Sequence, residues 1–203
     1  MSTCRIAILG STRGTSAQTM IDEHNCGQLN GTIEVVVSNN ESAYILTRAK
    51  QNGLDFACIP ATGLSRESYD QKLHQLLLPY RIDLIVLVGF MRILSASFIQ
   101  HWQHKIINVH PSLLPKHKGL MDMAVHESVL RAKDKKTGCS VHYVTEAVDA
   151  GQVIIQKACA VEANDIAQTL KEKVQALEGA ALVEAINLIS KNSNYPEATL
   201  TLP

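Results

Sequence analysis

The sequence predicts an α/β protein with a largely parallel sheet, and three observations support this fold class. Short apolar runs rich in β-branched residues alternate along the chain with segments of helical periodicity. The run at 84–88 is apolar on both faces, which is typical of a parallel strand that helices cover on both sides. The 203 residues contain no internal repeat, low-complexity segment or linker. They therefore predict a single domain over 1–189 and a polar carboxy-terminal tail over 190–203.

Local signals justify the individual elements. Gly53 is a carboxy-terminal stop for one helix, and Ser65 and Ser68 are alternative amino-terminal caps for the next. Pro111 ends a strand at His110, because proline lacks an N–H group and disfavours helical geometry in the residue before it. In chain order we predict strands over 5–9, 32–38, 55–59, 83–88, 106–110, 140–145 and 152–160, and helices over 17–24, 41–52, 65–80, 95–102, 121–132 and 166–189.

Composition argues against several classes of protein. The 19 basic and 19 acidic residues give a formal net charge of zero, which is poor support for nucleic-acid binding. The longest apolar run, at 84–91, is too short to span a bilayer, and no signal-peptide pattern opens the chain. The five cysteines are scattered without a CxxC motif, so we expect reduced thiols and a cytoplasmic protein. We expect small-molecule substrates and a monomer or weak homodimer, with no membrane partner.

Four polar segments are predicted to meet at one edge of the sheet. They are the loop 10–16 after the first strand, the segment 89–94 after the fourth, the end of the fifth strand, and the loop 145–151 between the last two strands. Ligands of open parallel sheets bind beyond the carboxyl ends of the strands. We therefore expect these four segments to form a single site.

The fifth strand ends in the pair Asn108 and His110, which the two-residue period of a strand places on one face. An imidazole can move protons near neutral pH, and an amide can donate to a developing oxyanion. Asp149 close to His110 would orient the ring and raise its pKa. These residues also have simpler interpretations. Asn108 and His110 alone suit a hydrogen-bonded pair at a strand end, and Asp149 alone suits an ordinary turn residue.

The loop "GSTRGTS" at 10–16 places small and hydroxyl residues where a strand turns into a helix. Backbone N–H groups at a helix start bind phosphate well, although the loop is neither a Walker A motif nor GxGxxG. A capped strand–helix turn is the alternative interpretation. Arg92 suits an anionic ligand or a salt bridge. His101 and His104 lack ligand partners at suitable spacing, so we expect no metal site.

Three ordered segments resemble the folate-dependent formyltransferases: "VGFMRILS" at 88–95, "NVHPSLLPKHKG" at 108–119 and "GCSVHYVTEAVDAGQVI" at 138–154. The resemblance runs from about residue 5 to residue 189. It implies a Rossmann-like three-layer α/β/α fold with a mixed seven-stranded sheet. It also implies transfer of a formyl group from the co-substrate 10-formyltetrahydrofolate to the amine of phosphoribosylglycinamide, in de novo purine biosynthesis, without a metal.

The same resemblance implies roles for individual residues. It gives catalytic roles to Asn108, His110 and Asp149. The chemistry of formyl transfer agrees with these roles: we expect Asn108 and a protonated His110 to stabilise the oxyanion while Asp149 holds the imidazole charged. Contacts with phosphoribosylglycinamide fall on Gly14, Thr15, Ser16, Gln175 and Glu178, to which we add Arg13. Contacts with folate fall on Arg66, Met91, Arg92, Ile93, Leu94, Asn108, Thr145, Glu146, Ala147, Val148 and Asp149.

The sequence departs from the related pattern on the acceptor side. Arg13 stands where a small neutral residue is usual, Gly179 stands where histidine is usual, and "GLMDMAVHE" at 119–127 differs from a histidine-containing stretch. The alternatives are a related formyltransferase or hydrolase with another acceptor, and a non-catalytic module that binds folate or nucleotide. A tRNA-binding or regulatory domain would not fit within 203 residues.

Overall fold

A computed structural model describes residues 3–192 of the chain. The strands are β1 (Cys4–Leu9), β2 (Gly31–Ser38), β3 (Phe56–Cys58), β4 (Leu84–Leu87), β5 (Ile106–His110), β6 (Lys136–Tyr143) and β7 (Val153–Ala160). The α-helices are α1 (Thr15–Asn25), α2 (Tyr44–Gln51), α3 (Arg66–Leu77), α4 (Ala96–His101), α5 (Met123–Arg131) and α6 (Ala167–Asn192). A 3₁₀ turn, Leu78–Tyr80, follows α3.

The seven strands form one mixed sheet in the order β3-β2-β1-β4-β5-β6-β7. Strands β1 to β5 are parallel, and β6 is antiparallel to both of its neighbours. The order of strands reverses between β1 and β4, where the connections leave in opposite directions and open a crevice. The predicted α/β fold with a mixed seven-stranded sheet is confirmed.

Two apolar layers cover the two faces of the sheet. Because strand side chains alternate, Ile6 and Ile8 of β1 pack on one face, while Ala7 and Leu9 pack on the other. Helices α1, α2 and α6 contribute to the first layer, and α3 and α4 to the second. The alternation of strand side chains therefore gives each face of the sheet an apolar surface for one helical layer to cover. Nearly every β1 side chain is buried as a result.

Several predicted boundaries differ from the structure. Helix α2 begins at Tyr44, three residues later than predicted, because the Asn40 side chain accepts the Ser42 N–H and holds a turn. Strand β6 begins at Lys136, four residues earlier than predicted, since its polar start pairs with β7. Helix α6 continues to Asn192, beyond the start of the predicted tail, and positions 193–203 lie outside the described residues.

Among residues 3–192, no helix combines the length and apolar character needed to cross a membrane.

Gly179 sets the distance between α6 and α1, whose contact buries much of the first apolar layer. A Cβ atom at Gly179 would lie 2.5 Å from the Cβ of Thr19 and 2.3 Å from its Oγ1. The histidine expected at this position from related sequences therefore has no room, and the two helices approach closely instead.

Gly179→Ala should lower the free energy of unfolding by about 1–3 kcal/mol, the usual cost of overpacking. Chemical denaturation measures this loss directly. Thr19→Ala removes the two nearest side-chain branches, so the double variant should recover part of the stability. Equal losses with and without the Thr19 change would contradict this account of the helix contact.

Candidate active site

A cavity of about 760 Å³ opens beyond the carboxyl ends of β1, β4 and β5. The loops after β1 and β4, the segment after β5, the loop between β6 and β7, and helix α6 all contribute to its wall. The predicted convergence of the four polar segments is therefore observed.

The loop between β6 and β7 reaches this cavity by an unexpected route. Because β6 is antiparallel to β5, its last residue Tyr143 lies opposite Ile107, near the start of β5. The chain leaves the sheet there and bends back toward the end of β5. Asp149 thereby meets His110, and its φ of 51° belongs to the left-handed region. The prediction placed Asp149 correctly but assumed that its loop leaves from the carboxyl edge, which is wrong.

Four side chains form a connected polar cluster in the cavity wall. The amide nitrogen Nδ2 of Asn108 lies 3.2 Å from Nε2 of His142, its directly opposed residue on β6. The same ring nitrogen lies 3.6 Å from Asp149 Oδ1. The other carboxylate oxygen of Asp149 lies 3.2 Å from His110 Nδ1. Asn108 and His110 share one strand face, as their spacing predicts.

His110 is 4% exposed, and both of its ring nitrogens face acceptors. Nδ1 faces the Asp149 carboxylate, and Nε2 lies 3.2 Å from the backbone carbonyl of His117. Burial lowers the pKa of His110, and this outweighs the opposing effects of Asp149 and the carbonyl. The prediction that Asp149 keeps the ring charged is therefore wrong for the free protein. A proton taken up by the ring nevertheless finds both N–H groups facing acceptors.

Asp149 stays ionised within the same cluster. Burial opposes its ionisation, but the contact with His142, the backbone N–H of Gly119 and the charge of His110 together lower its pKa below the usual carboxyl value. The Gly119 N–H donates to Oδ2 over 2.8 Å. One carboxylate thus orients His110 and also anchors the segment that follows β5.

Contacts with α5 and its flanking residues hold the segment 111–122 over the cavity. The His117 ring lies between the Ser128 hydroxyl, at 2.9 Å, and the Asp134 carboxylate, at 2.8 Å. Lys171 of α6 donates to Asp122 over 2.6 Å, which joins the end of this segment to α6. These contacts fix the His117 carbonyl that faces His110.

The turn into α1, at the end of the loop 10–16, forms one wall of the cavity. Thr12, Arg13 and Thr15 line the cavity, and α1 begins there without a side-chain cap for its first N–H groups. Gly14 has a φ of 65°, and a Cβ there would lie 2.5 Å from Ile45. The glycine therefore lets the loop pack on α2.

Ser16 and Glu178 form a contact that the sequence did not suggest. The buried Ser16 hydroxyl donates to Glu178 over 2.7 Å, so its hydrogen is directed to a protein carboxylate. Burial raises the pKa of Glu178, with the Ser16 hydroxyl and the charge of Lys171 acting in the opposite direction. Glu178, Gln175 and Lys171 line the cavity from α6.

Glu178→Gln should remove a pH-dependent loss of stability. Because the folded carboxyl has a raised pKa, the folded state keeps a proton that the unfolded chain releases as pH rises from about 4.5. The free energy of unfolding of the wild type should therefore fall relative to the variant over this range. Urea unfolding of both proteins at pH about 4 and about 7 measures the difference. An identical difference at both pH values would contradict the raised pKa.

The cavity wall formed by the segments after β4 and after β6 is more apolar than the wall formed by α1 and α6. Its predicted members at the cavity are Met91, Arg92, Ile93, Leu94, Thr145, Glu146 and Val148. The Arg92 guanidinium lies 4.2 Å from the centre of the Tyr69 ring, and its Nε has no hydrogen-bond partner within the described residues. The backbone N–H of Met91 donates over 2.7 Å to the Ser11 hydroxyl, which donates in turn to Asn39.

Four predicted site residues do not line the cavity: Gly14, Ser16, Arg66 and Ala147. Arg66 is exposed in the first turn of α3. The structure adds cavity residues that sequence reasoning missed, above all His126 and His142. The pairing of β5 with β6 puts His142 opposite Asn108, a signal that requires the strand register.

In the described part of the chain, no cluster of three or more His, Cys, Asp or Glu side chains is suited to hold a metal ion.

Known proteins are similar to this chain in fold and in sequence. Phosphoribosylglycinamide formyltransferase of Escherichia coli (strain K12) is 39% identical over 176 residues, which are 86% of this chain and 82% of that protein. Trifunctional purine biosynthetic protein adenosine-3 of Homo sapiens is 36% identical over 93% of this chain, which spans only 18% of that longer protein. A crystal structure of glycinamide ribonucleotide transformylase 1 from Symbiobacterium toebii has a TM-score of 0.89 at 35% identity, covering 93% of this chain and 88% of that one.

A family model gives the same assignment over almost the whole described chain. The Formyl transferase model matches residues 4–186, which contain all seven strands and the Asn108, His110 and Asp149 cluster. The match to the bacterial relative likewise covers most of both chains, 86% of this one and 82% of the other. This chain therefore belongs to the formyl transferase family.

Proposed function

We propose that this chain transfers a formyl group from 10-formyltetrahydrofolate to the amine of phosphoribosylglycinamide, the step in purine biosynthesis that its relatives are named for. The observation that carries the proposal is the cluster of Asn108, His110 and Asp149 in a cavity with two chemically different walls. We also propose that it acts in the cytoplasm on small molecules, as a monomer or weak homodimer.

The two walls suit two substrates. The uncapped start of α1, with Arg13 beside it, offers N–H groups and positive charge to a phosphate. Glu178 and Gln175 offer hydrogen bonds to a polar acceptor. The apolar side chains of Met91, Ile93 and Val148, with Arg92 among them, suit a flat ring system that carries an acidic tail.

The cluster supplies the chemistry of acyl transfer. When the amine attacks the formyl carbon, the carbonyl oxygen gains negative charge and the Asn108 amide can donate to it. His110 is neutral in the free protein, so it can accept the proton that the attacking nitrogen must lose. The ionised Asp149 stabilises the imidazolium that results. The bond from the formyl carbon to the folate nitrogen then breaks, and the imidazolium of His110 gives its proton to that nitrogen, which restores the neutral ring.

The test is turnover of 10-formyltetrahydrofolate with phosphoribosylglycinamide, followed by mass detection of the formylated acceptor. A parallel reaction without acceptor measures hydrolysis, and one with the dephosphorylated acceptor measures the need for phosphate. We expect a formylated product only with the phosphorylated amine. Formate release that does not depend on an acceptor would instead favour a hydrolase, and equal use of the dephosphorylated amine would refute the phosphate site.

A further inference from the structure

His126 is a buried histidine in the cavity wall that the catalytic cluster does not use. It lies in α5, is 2% exposed, and lines the cavity on the same side as Gln168, Lys171 and Gln175 of α6. Its Nδ1 is fully enclosed and has no hydrogen-bond partner among the described residues. Buried polar groups are almost always hydrogen-bonded, so an unpartnered imidazole at a cavity needs an explanation.

The charge state of His126 follows from its surroundings. Burial lowers its pKa, and the charge of Lys171 lowers it further, against the opposing effect of Asp122. The ring is therefore neutral near pH 7 and carries a single N–H group. A buried lone pair without a partner costs less than a buried N–H without one, which places the hydrogen on Nε2. Nε2 is also the ring nitrogen that is not enclosed.

We infer that His126 contacts the acceptor substrate, with its Nε2–H donating a hydrogen bond to an oxygen of the glycinamide arm. This inference rests on the proposed function, because it takes phosphoribosylglycinamide as the acceptor. The glycinamide amide carbonyl adjoins the amine that must reach the cluster. His110 and His126 line the same cavity, so an acceptor whose amine reaches His110 can also contact His126.

Energetics separate this role from a structural one. A histidine kept for the fold should have its ring nitrogens bonded within the fold, and its loss should lower stability. An unpartnered ring instead imposes a desolvation cost on the folded state, so an apolar replacement of similar size should leave stability unchanged or raise it. Retention of this cost beside a cavity is expected where the other ring nitrogen, the open Nε2–H, serves a ligand.

Three substitutions at position 126 test the inference. His126→Leu removes all hydrogen bonding, His126→Gln places an N–H donor near the position of Nε2, and His126→Asn places one near the enclosed Nδ1. We expect KM for phosphoribosylglycinamide to rise about two- to tenfold in the Leu and Asn variants, the cost of one neutral hydrogen bond. The rise should be smaller in the Gln variant. KM for 10-formyltetrahydrofolate should not change in any of the three.

His74→Leu is the matched control. His74 also has a buried Nδ1 without a partner, but its ring packs on His101 and Trp102 away from the cavity. This control should change neither KM, while both Leu variants should keep or raise Tm. An acceptor KM within twofold of wild type in His126→Leu would overturn the inference, as would equal rises for both substrates with a lowered Tm. Absence of formyl transfer by the wild-type protein would instead refute the proposed function itself.

Discussion

Replacement of His110 by alanine should lower kcat for formyl transfer by about 10²–10⁴-fold, the usual contribution of a positioned general acid–base group. The buried ring lies between Asp149 and the His117 carbonyl, and no other described side chain holds that position. Without it, the proton of the attacking amine must leave through water. Because we propose that the ring acts during the chemical step, we expect KM for both substrates to change far less than kcat.

Steady-state kinetics of His110→Ala and of His101→Ala provide the comparison. His101 is an exposed residue of α4 outside the cavity, so its loss should leave kcat unchanged. Circular dichroism of both variants should show that the fold is retained. A His110→Ala protein with more than about a third of the wild-type kcat would remove His110 from the mechanism.

Replacement of Asp149 by asparagine should lower kcat by about 10²-fold, the lower end of the range for general acid–base catalysis, and should also lower the pKa of His110 further. The variant keeps the size of the side chain and can still accept the Gly119 N–H. It loses the negative charge that raises the pKa of His110 against the effect of burial. With the imidazolium no longer stabilised, proton uptake from the amine becomes harder.

NMR titration of the His110 ring in wild type and Asp149→Asn gives the second, independent readout. The titration midpoint should move to lower pH in the variant. Asp165→Asn is a suitable control, because Asp165 pairs with Lys173 and lies outside the cavity. An unchanged His110 midpoint would mean that the two side chains do not interact in solution, and an unchanged kcat would exclude the charge from the chemistry.

The sequence predicted those parts of the site that depend on periodicity alone. Asn108 and His110 belong to one strand, so a two-residue period sufficed to put them on one face. Asp149 was predicted from its place between two strands, but its path back across β5 depends on the antiparallel direction of β6. No periodic pattern gives that direction.

Other site residues were missed for a related reason. His142 and Asn108 are 34 positions apart in the chain, and they face each other only through the register of β5 and β6. His126 has an ordinary position in a short amphipathic helix, and its significance appears only when the cavity beside α5 is known. The sequence predicted Ser16 as a phosphate ligand. Its hydroxyl instead donates to Glu178, which lies 162 positions away in the chain, so the sequence around Ser16 does not indicate this partner. The direction of a side chain at a turn is a tertiary property.

The Ser11 hydroxyl has a consequence for how two ligands affect one another. It accepts the N–H of Met91 in the apolar wall and donates to Asn39 beyond β2, while the Ser11 backbone N–H donates to Gly89. The start of the turn that we propose to bind phosphate and the segment that we propose to bind the folate ring therefore share one small, buried group. A ligand that displaces Ser11 would change its hydrogen bond to Met91 and so affect the other segment. Thermodynamic linkage then requires the coupling to be reciprocal: each ligand changes the affinity of the other by the same factor.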